Sequence, residues 1–164
     1  MIFVTLGTQK FAFKRILELL VNLKKQGLLD DEIIAQVGFT DYDTPEINQK
    51  KFFTEAKMKD IIKRANLVIT HGGTGSIITA LELEKKVLAV PRLKVYSEHV
   101  DDHQLDIVSE FHKNGYIECY LGNNQYEFLN KIKITLDTNF KEYKKDNKKV
   151  LEDLLNYIIK EKLN

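Results

Sequence analysis

Tryptophan is absent, cysteine occurs once, proline twice, and neither sign of charge dominates: 25 Lys and Arg stand against 24 Asp and Glu in 164 residues. Each scarcity removes a class of explanation. The single cysteine, Cys119, has no intrachain partner, so no internal disulfide is available. A near-zero net charge supplies no whole-protein field to draw in nucleic acid or an anionic membrane, and no nucleic-acid partner is expected. No apolar run approaches the roughly 20 residues that cross a bilayer. Met1-Ile2-Phe3-Val4 lacks the basic start and longer apolar stretch of a secretory signal, and the expected setting is a reducing cytoplasm. What is present is 43% hydrophobic and 30% charged residues, enough to bury an ordinary core. No internal repeat and no Pro/Gly/Ser-rich linker divides the chain, so residues 1–164 are expected to form a single domain.

Short β-branched runs recur at Ile2 to Leu6, Ile33 to Val37, Leu67 to Thr70, Val87 to Val90 and Tyr116 to Tyr120, and read as strands. Between them, apolar residues return at helical spacing: Phe13, Ile16, Leu17, Leu20, Val21 and Leu23; Met58, Ile61 and Ile62; Leu105, Ile107, Val108 and Phe111. Strand alternating with helix predicts an α/β, Rossmann-like, mostly parallel sheet with helices on both faces, because parallel strands need crossovers. Ligands of such folds bind outside the carboxyl ends of the strands, at the turns after Leu6, Thr70 and Val90. Residues 141–164, lysine-rich and then carrying Val150, Leu151, Leu154, Leu155, Ile158 and Ile159, predict a terminal amphipathic helix. Packing on its own sheet, docking a partner and lying on a membrane all remain open for it.

Leu67-Val68-Ile69-Thr70 runs directly into His71-Gly72-Gly73-Thr74-Gly75-Ser76 and then a helix-like segment, a strand, glycine turn and helix in succession. Glycines let backbone N–H groups approach an anion, and the new helix adds unpaired N–H groups and the positive end of its dipole. A diphosphate suits that environment. The Thr74 and Ser76 hydroxyls serve either phosphate or the helix cap. A structural tight turn uses glycine as readily.

Named alternatives fail on spelling. The spacing G-x-G-x-x-G of the dinucleotide fingerprint is absent, and the turn beginning Gly7-Thr8 lacks the second glycine and Lys-Ser/Thr pair of a P-loop. His71-Gly72-Gly73 is not joined by any G-x-S-x-G nucleophile elbow. Asp41-Tyr42-Asp43 precedes Pro45 and is expected to be a turn rather than a metal motif. His99 and His103, four apart, lack the intervening Glu of H-E-x-x-H, so no metal site is expected there.

Val4-Thr5-Leu6-Gly7-Thr8, Ile69 to Ser76, Val90-Pro91-Arg92 and Glu98-His99-Val100-Asp101-Asp102-His103-Gln104-Leu105 occur in an order that resembles the C-terminal domain of family 28 glycosyltransferases. More closely, the chain looks like the small catalytic subunits of split enzymes. These are capsule and exopolysaccharide transferases of the PssE and CpsG kind, and the soluble subunit of the dolichol-linked N-acetylglucosaminyltransferase. The likeness extends to about Leu129. It implies the donor-binding half of a GT-B fold, with no cofactor and a UDP-sugar as donor substrate. It also implies a membrane-associated acceptor-binding subunit of the PssD or CpsF kind, a lipid-linked saccharide acceptor, and a place at the inner face of the membrane through that partner.

Carried over by position, Gly7 and Thr8 face the cleft, Gly72, Gly73, Thr74, Gly75 and Ser76 lie under the donor diphosphate, and His71 points toward donor or cleft. Gln104 matches a glutamine that bonds the donor sugar, accompanied by Glu98, His99, Asp102 and His103. Two departures stand out: Thr79 occupies the position of a ribose-binding glutamate, and Glu84-Lys85-Lys86 replaces a glycine-bearing turn. The expected reaction is inverting sugar transfer, galactose favoured over glucose and N-acetylglucosamine, with His71, His99, Asp102, His103 or the acceptor half supplying the base. A noncatalytic nucleotide-binding or stabilising subunit is the competing expectation.

Overall fold

The computed structural model of the chain describes residues 1–144 and Asp153. In chain order its elements are β1 (Ile2–Thr5), α1 (Lys14–Lys25), β2 (Ile33–Gln36), β3 (Asn48–Lys50), α2 (Glu55–Arg64), β4 (Leu67–Thr70), α3 (Thr74–Glu82), β5 (Lys86–Ala89), a 3-10 turn (Lys94–Tyr96), α4 (His103–Lys113), β6 (Glu118–Cys119) and α5 (Gln125–Asp137). The sheet order is β3-β2-β1-β4-β5-β6, and every neighbouring pair is parallel. Consecutive strands step outward from β1 on one side and from β4 on the other. The order therefore reverses between β1 and β4, which opens a crevice at their carboxyl ends.

Side-chain alternation along each strand feeds two apolar layers. Ile2, Val4, Leu6, Leu67, Ile69 and Leu88 pack against α1 and α5 through Ile16, Leu17, Leu20, Phe128 and Ile132. Phe3, Val68, Val87 and Ala89 pack against α2, α3 and α4 through Ile61, Ile62, Ile77, Val108 and Phe111. Burial on both faces explains why the central strands are nearly continuous apolar runs.

Two elements lay outside the sequence-based expectation. β3 is Asn-Gln-Lys, an exposed edge strand that pairs only with β2, so it carries no apolar pattern. α5 buries only Phe128, Ile132 and Thr135, yet its start was written in the sequence: the Asn124 side chain accepts from the amides of Tyr126 and Glu127. The terminal helix expected over 141–164 falls almost wholly outside the described residues. Its first four residues, 141–144, are not helical; the Lys141 amide donates to Gly115 O at 2.9 Å.

The altered turn at Glu84-Lys85-Lys86 closes α3 with a Schellman pair, the Glu84 amide donating to Leu81 O at 2.9 Å and the Lys85 amide to Ala80 O at 3.0 Å. This geometry puts Glu84 at φ 56°, the left-handed region where a Cβ crowds the following carbonyl. Glu84→Gly is expected to stabilise the fold by about 1 kcal/mol, read as a higher urea midpoint, while Glu84→Ala leaves the strain in place. Equal midpoints for the two variants would contradict this account.

Candidate functional site

A cleft of about 490 Å³ opens at the carboxyl ends of β1 and β4, where Gly7, Thr8, Gly73, Gly75, Ser76 and Gln104 meet His71, His99, Asp101 and His103. His71 leaves the end of β4 and is only 8% exposed. Its Nδ1 lies 3.4 Å from Thr5 O. Burial, with the nearby Arg92 cation second, pushes its pKa down to about 4, against a smaller upward pull from the Thr5 carbonyl. The ring is therefore neutral at pH 7.

The glycines of the turn answer to different demands. A Cβ on Gly7 would fall 2.5 Å from His71 Nε2 and one on Gly73 would fall 2.4 Å from the same atom, so both are glycine because the imidazole lies against them. Gly72, at φ 87°, would meet Val108 Cγ2 at 2.7 Å. Gly75 is different: a Cβ there would meet nothing within 4 Å, and its backbone needs no positive φ. The fold does not require this glycine. Beside it, α3 begins at the Gly73 cap with no side-chain hydrogen bond and no acidic residue in its first turn. The amides of Thr74 and Gly75 have no acceptor among the described residues. The positive end of α3 thus faces the cleft unsatisfied.

Beneath the cleft lie three buried charges that sequence patterns did not single out as a unit. Arg15, on the inner face of α1, forms a two-pronged ion pair with Glu98, Nε to Oε1 and Nη2 to Oε2 both at 2.8 Å. It also donates to Gly122 O at 2.7 Å and Pro91 O at 2.8 Å. Arg92, 1% exposed, donates to Leu6 O at 2.7 Å and to Phe11 O, while its Nε finds no partner among the described residues. Burial lowers the Arg92 pKa to about 10, opposed by Glu98, so it stays charged at neutral pH. Two arginines and one glutamate leave one net positive charge. The available signal was an arginine in the apolar stripe of a helix.

Several expected site residues are placed elsewhere. Glu98 is 5% exposed, and its carboxylate accepts from Arg15 and from the Leu93 amide at 3.0 Å, so it is a loop clamp rather than a cleft contact. Thr79 sits one turn along α3 on the outer side, its hydroxyl donating to Gly75 O at 2.8 Å, and does not reach the cleft. Asp102 accepts from the Lys94 amide at 2.8 Å and likewise does not line the cleft, and neither Gly72 nor the Thr74 side chain lines it. Gln104 does line it: Oε1 accepts from the Arg92 amide at 3.0 Å, which leaves the Nε2 hydrogens for a ligand.

His99 precedes α4 and His103 begins it, so they do not share a helical face. Asp101 lies between them, Oδ1 at 2.9 Å from His99 Nδ1 and Oδ2 at 3.7 Å from His103 Nε2. Asp41-Tyr42-Asp43 is loop, with Asp43 accepting from Gln49 at 3.1 Å. Among the described residues the one group with metal-like spacing is His112, Glu118 and Cys119. There Glu118 already accepts from Lys131 at 3.1 Å and the Cys119 amide at 2.8 Å, and burial pushes the Cys119 thiol up. That group reads as a satisfied ion pair.

A model of the glycosyltransferase family 28 C-terminal domain matches residues 1–158. The chain belongs to this family. It is 29% identical over 111 residues to the UDP-N-acetylglucosamine transferase subunit ALG13 of Candida albicans, which covers 68% of this chain and 35% of that protein. Against the human protein of the same name it is 29% identical over 126 residues, covering 71% of this chain and 10% of that one. The chain thus spans about a third of the length of the first relative and a tenth of the second. Among solved structures, the glycotransferase of kitacinnamycin matches with a TM-score of 0.64 at 15% identity, covering 95% of this chain and 37% of that one. The fold is the Rossmann-like half of the GT-B architecture that the strand order indicates.

Two outcomes are expected. Glu98→Gln leaves Arg15 and Arg92 without a countercharge and costs about 3 kcal/mol in denaturant unfolding; a loss below about 1 kcal/mol would remove the clamp from the account. For His71 the folded value of about 4 lies under the ordinary 6.5. Between those two values the unfolded chain takes up a proton that the folded chain refuses. Stability present above pH 6.5 is therefore lost as pH falls toward 4, by about 3 kcal/mol. His71→Gln should flatten the pH dependence across that window.

Proposed function

We propose that the chain is the donor-binding subunit of an inverting glycosyltransferase that uses UDP-N-acetylglucosamine, with the acceptor half supplied by a second, membrane-associated chain. The observation that carries this is the start of α3. Two unpaired amides and a glycine that the fold does not need open on the cleft, and Arg92, close enough to His71 to lower its pKa, adds a buried positive charge nearby. A diphosphate fills that place, accepting from the Thr74 and Gly75 amides and from the Ser76 hydroxyl, in the field of the helix end and of Arg92. Gln104 Nε2 donates to a hydroxyl of the sugar. As the bond to the sugar breaks, charge grows on the departing UDP, and these fixed donors stabilise it without reorganising.

The choice of N-acetylglucosamine is supported by the relatives, whose names place them in N-acetylglucosamine transfer. The lean toward galactose and capsule synthesis has no such support. Among the described residues no helix is long and apolar enough to cross a membrane, so the proposed place at the inner membrane face depends on the partner. A noncatalytic nucleotide-binding or stabilising subunit is the competing reading, and the position of Thr79 favours its stabilising form, because no carboxylate on α3 reaches the cleft to hold the ribose.

Gly75→Ala separates fold from ligand. Placing Ala in an open helical position is expected to leave stability unchanged or raise it by up to about 1 kcal/mol. Calorimetric titration with UDP should show affinity lower by at least about tenfold, since the methyl group takes the phosphate's place. Unchanged UDP affinity would remove α3 as the donor site. Transfer assays with the partner chain, comparing UDP-N-acetylglucosamine and UDP-galactose, then decide the sugar, and UDP binding without transfer would favour the noncatalytic subunit.

A further inference from the structure

We propose that Gln36 reads the base of the donor nucleotide, its side-chain Nε2 donating to the C4 carbonyl of uracil, and that this contact sets a preference for uridine over cytidine donors. This rests on the donor-site reading of the cleft and deepens it. Gln36 ends β2 and is only 5% exposed, yet it lines the cleft. Its Oε1 accepts from the Phe53 amide at 2.9 Å. A main-chain N–H can only donate, so this bond settles which end of the side-chain amide is oxygen. Nε2 has no partner among the described residues. Nor is it sealed in, because the buried side-chain atoms left without a partner there are Gln49 Oε1 and Arg92 Nε. A deeply buried residue thus opens a donor on the cleft. Holding Phe53 uses only the oxygen, and the nitrogen is left for what binds.

Sheet register places that donor. Side chains alternate along a strand, so Gln36 shares the face of Ile34, toward α2 and α3. Gln36 pairs with Thr5 on β1, and Thr5 pairs with Thr70 on β4. Two strand spacings, about 10 Å, therefore separate Gln36 from the strand end at which the turn into α3 begins. A ribose and a pyrimidine cover that distance between them. On the other side of β4, past β5, Gln104 is held in the same manner, its Oε1 accepting from the Arg92 amide at 3.0 Å. The start of α3 thus lies between two glutamines, each with its oxygen spent on the main chain and its N–H groups left to the cleft. With the sugar on the Gln104 side of the diphosphate, the nucleoside falls on the Gln36 side. Met58, half-buried on α2, lines the same cleft and offers a thioether to the face of a flat base.

Uracil carries a carbonyl at C4, an acceptor, where cytosine carries an amino group, a donor. Gln36 offers only N–H, which pairs with the uracil carbonyl and meets the cytosine amino group donor to donor. An unpaired donor in a site this buried is costly, so one contact discriminates strongly. Gln36→Glu reverses the chemistry. One carboxylate oxygen keeps the Phe53 amide, while the other accepts from the cytosine amino group and repels the uracil carbonyl.

The test titrates the full chain with UDP and with CDP by calorimetry at about pH 8, well above the ordinary carboxylate range. The wild-type chain should bind UDP at least about tenfold more tightly than CDP, and Gln36→Glu should erase or invert that ratio. In NMR spectra of the wild-type chain the Gln36 side-chain amide protons should shift on adding UDP and stay in place on adding pyrophosphate, a measurement that depends on no variant folding. Equal wild-type affinity for the two nucleotides overturns the proposal, as does an unchanged ratio in a folded Gln36→Glu chain or a Gln36 amide that ignores UDP. Gly75→Ala keeps the two questions apart: UDP affinity lost in that variant with no response at Gln36 sinks the base contact and spares the donor site, whereas no UDP binding by the wild-type chain sinks both.

Discussion

The Arg15–Glu98 ion pair is the constraint on which the carboxyl end of the sheet depends. One guanidinium ties the first turn of α1 to the loop after β5 through Glu98 and Pro91 O, and to the loop after β6 through Gly122 O. Phe13 lies beside both guanidiniums, 5.4 Å from Arg15 and 5.0 Å from Arg92. Two loops that would otherwise be free segments at a sheet end are thereby fixed to a helix. A buried pair of this kind adds little net stability over an apolar replacement, because desolvating both charges offsets most of their attraction. What it supplies is geometry: the loop that holds Glu98 also carries His99, Asp101 and the start of α4.

That geometry passes to the cleft through Arg92. Its main-chain amide fixes Gln104, its guanidinium fixes the Leu6 and Phe11 carbonyls, and its charge helps keep His71 neutral. The neutral imidazole then sets the glycines, since both Gly7 and Gly73 lie where a side chain would strike its ring. Gly75 is outside this chain of causes, and for that reason it is the glycine that speaks about a ligand. Within one turn of sequence, some glycines serve the protein and one is left for what binds to it.

Much of this was legible beforehand, and the gaps have physical reasons. Central strands and the helices α1 and α4 announce themselves because burial forces apolar periodicity on them. β3 is silent because an edge strand with polar side chains joins the sheet through backbone pairing and carries no apolar pattern. For the site, the glycine turn and Gln104 were located by their spelling, and His71, Gly73, Gly75, Ser76 and Gln104 do line the cleft. Glu98, Asp102 and Thr79 were assigned to it because a motif records which residues occur together, not which way they face. Inward rotation of Glu98 toward Arg15, more than eighty positions earlier in the chain, is a long-range pairing that no local pattern encodes.

Charge balance gives the cleft a further property. On the transferase reading, the donor's diphosphate carries a negative charge on each phosphate, and the product UDP carries more. A helix start contributes about half a positive charge, and the buried cluster adds the excess of two arginines over one glutamate. That is close to the charge of the donor and less than that of the product. Were His71 cationic as well, the site would hold UDP more tightly than it holds the donor, and release would slow the cycle. Burial of His71 against Arg92 prevents this, because it keeps the nearest imidazole uncharged throughout the neutral range. On that reading, the low pKa of His71 works toward departure of the product.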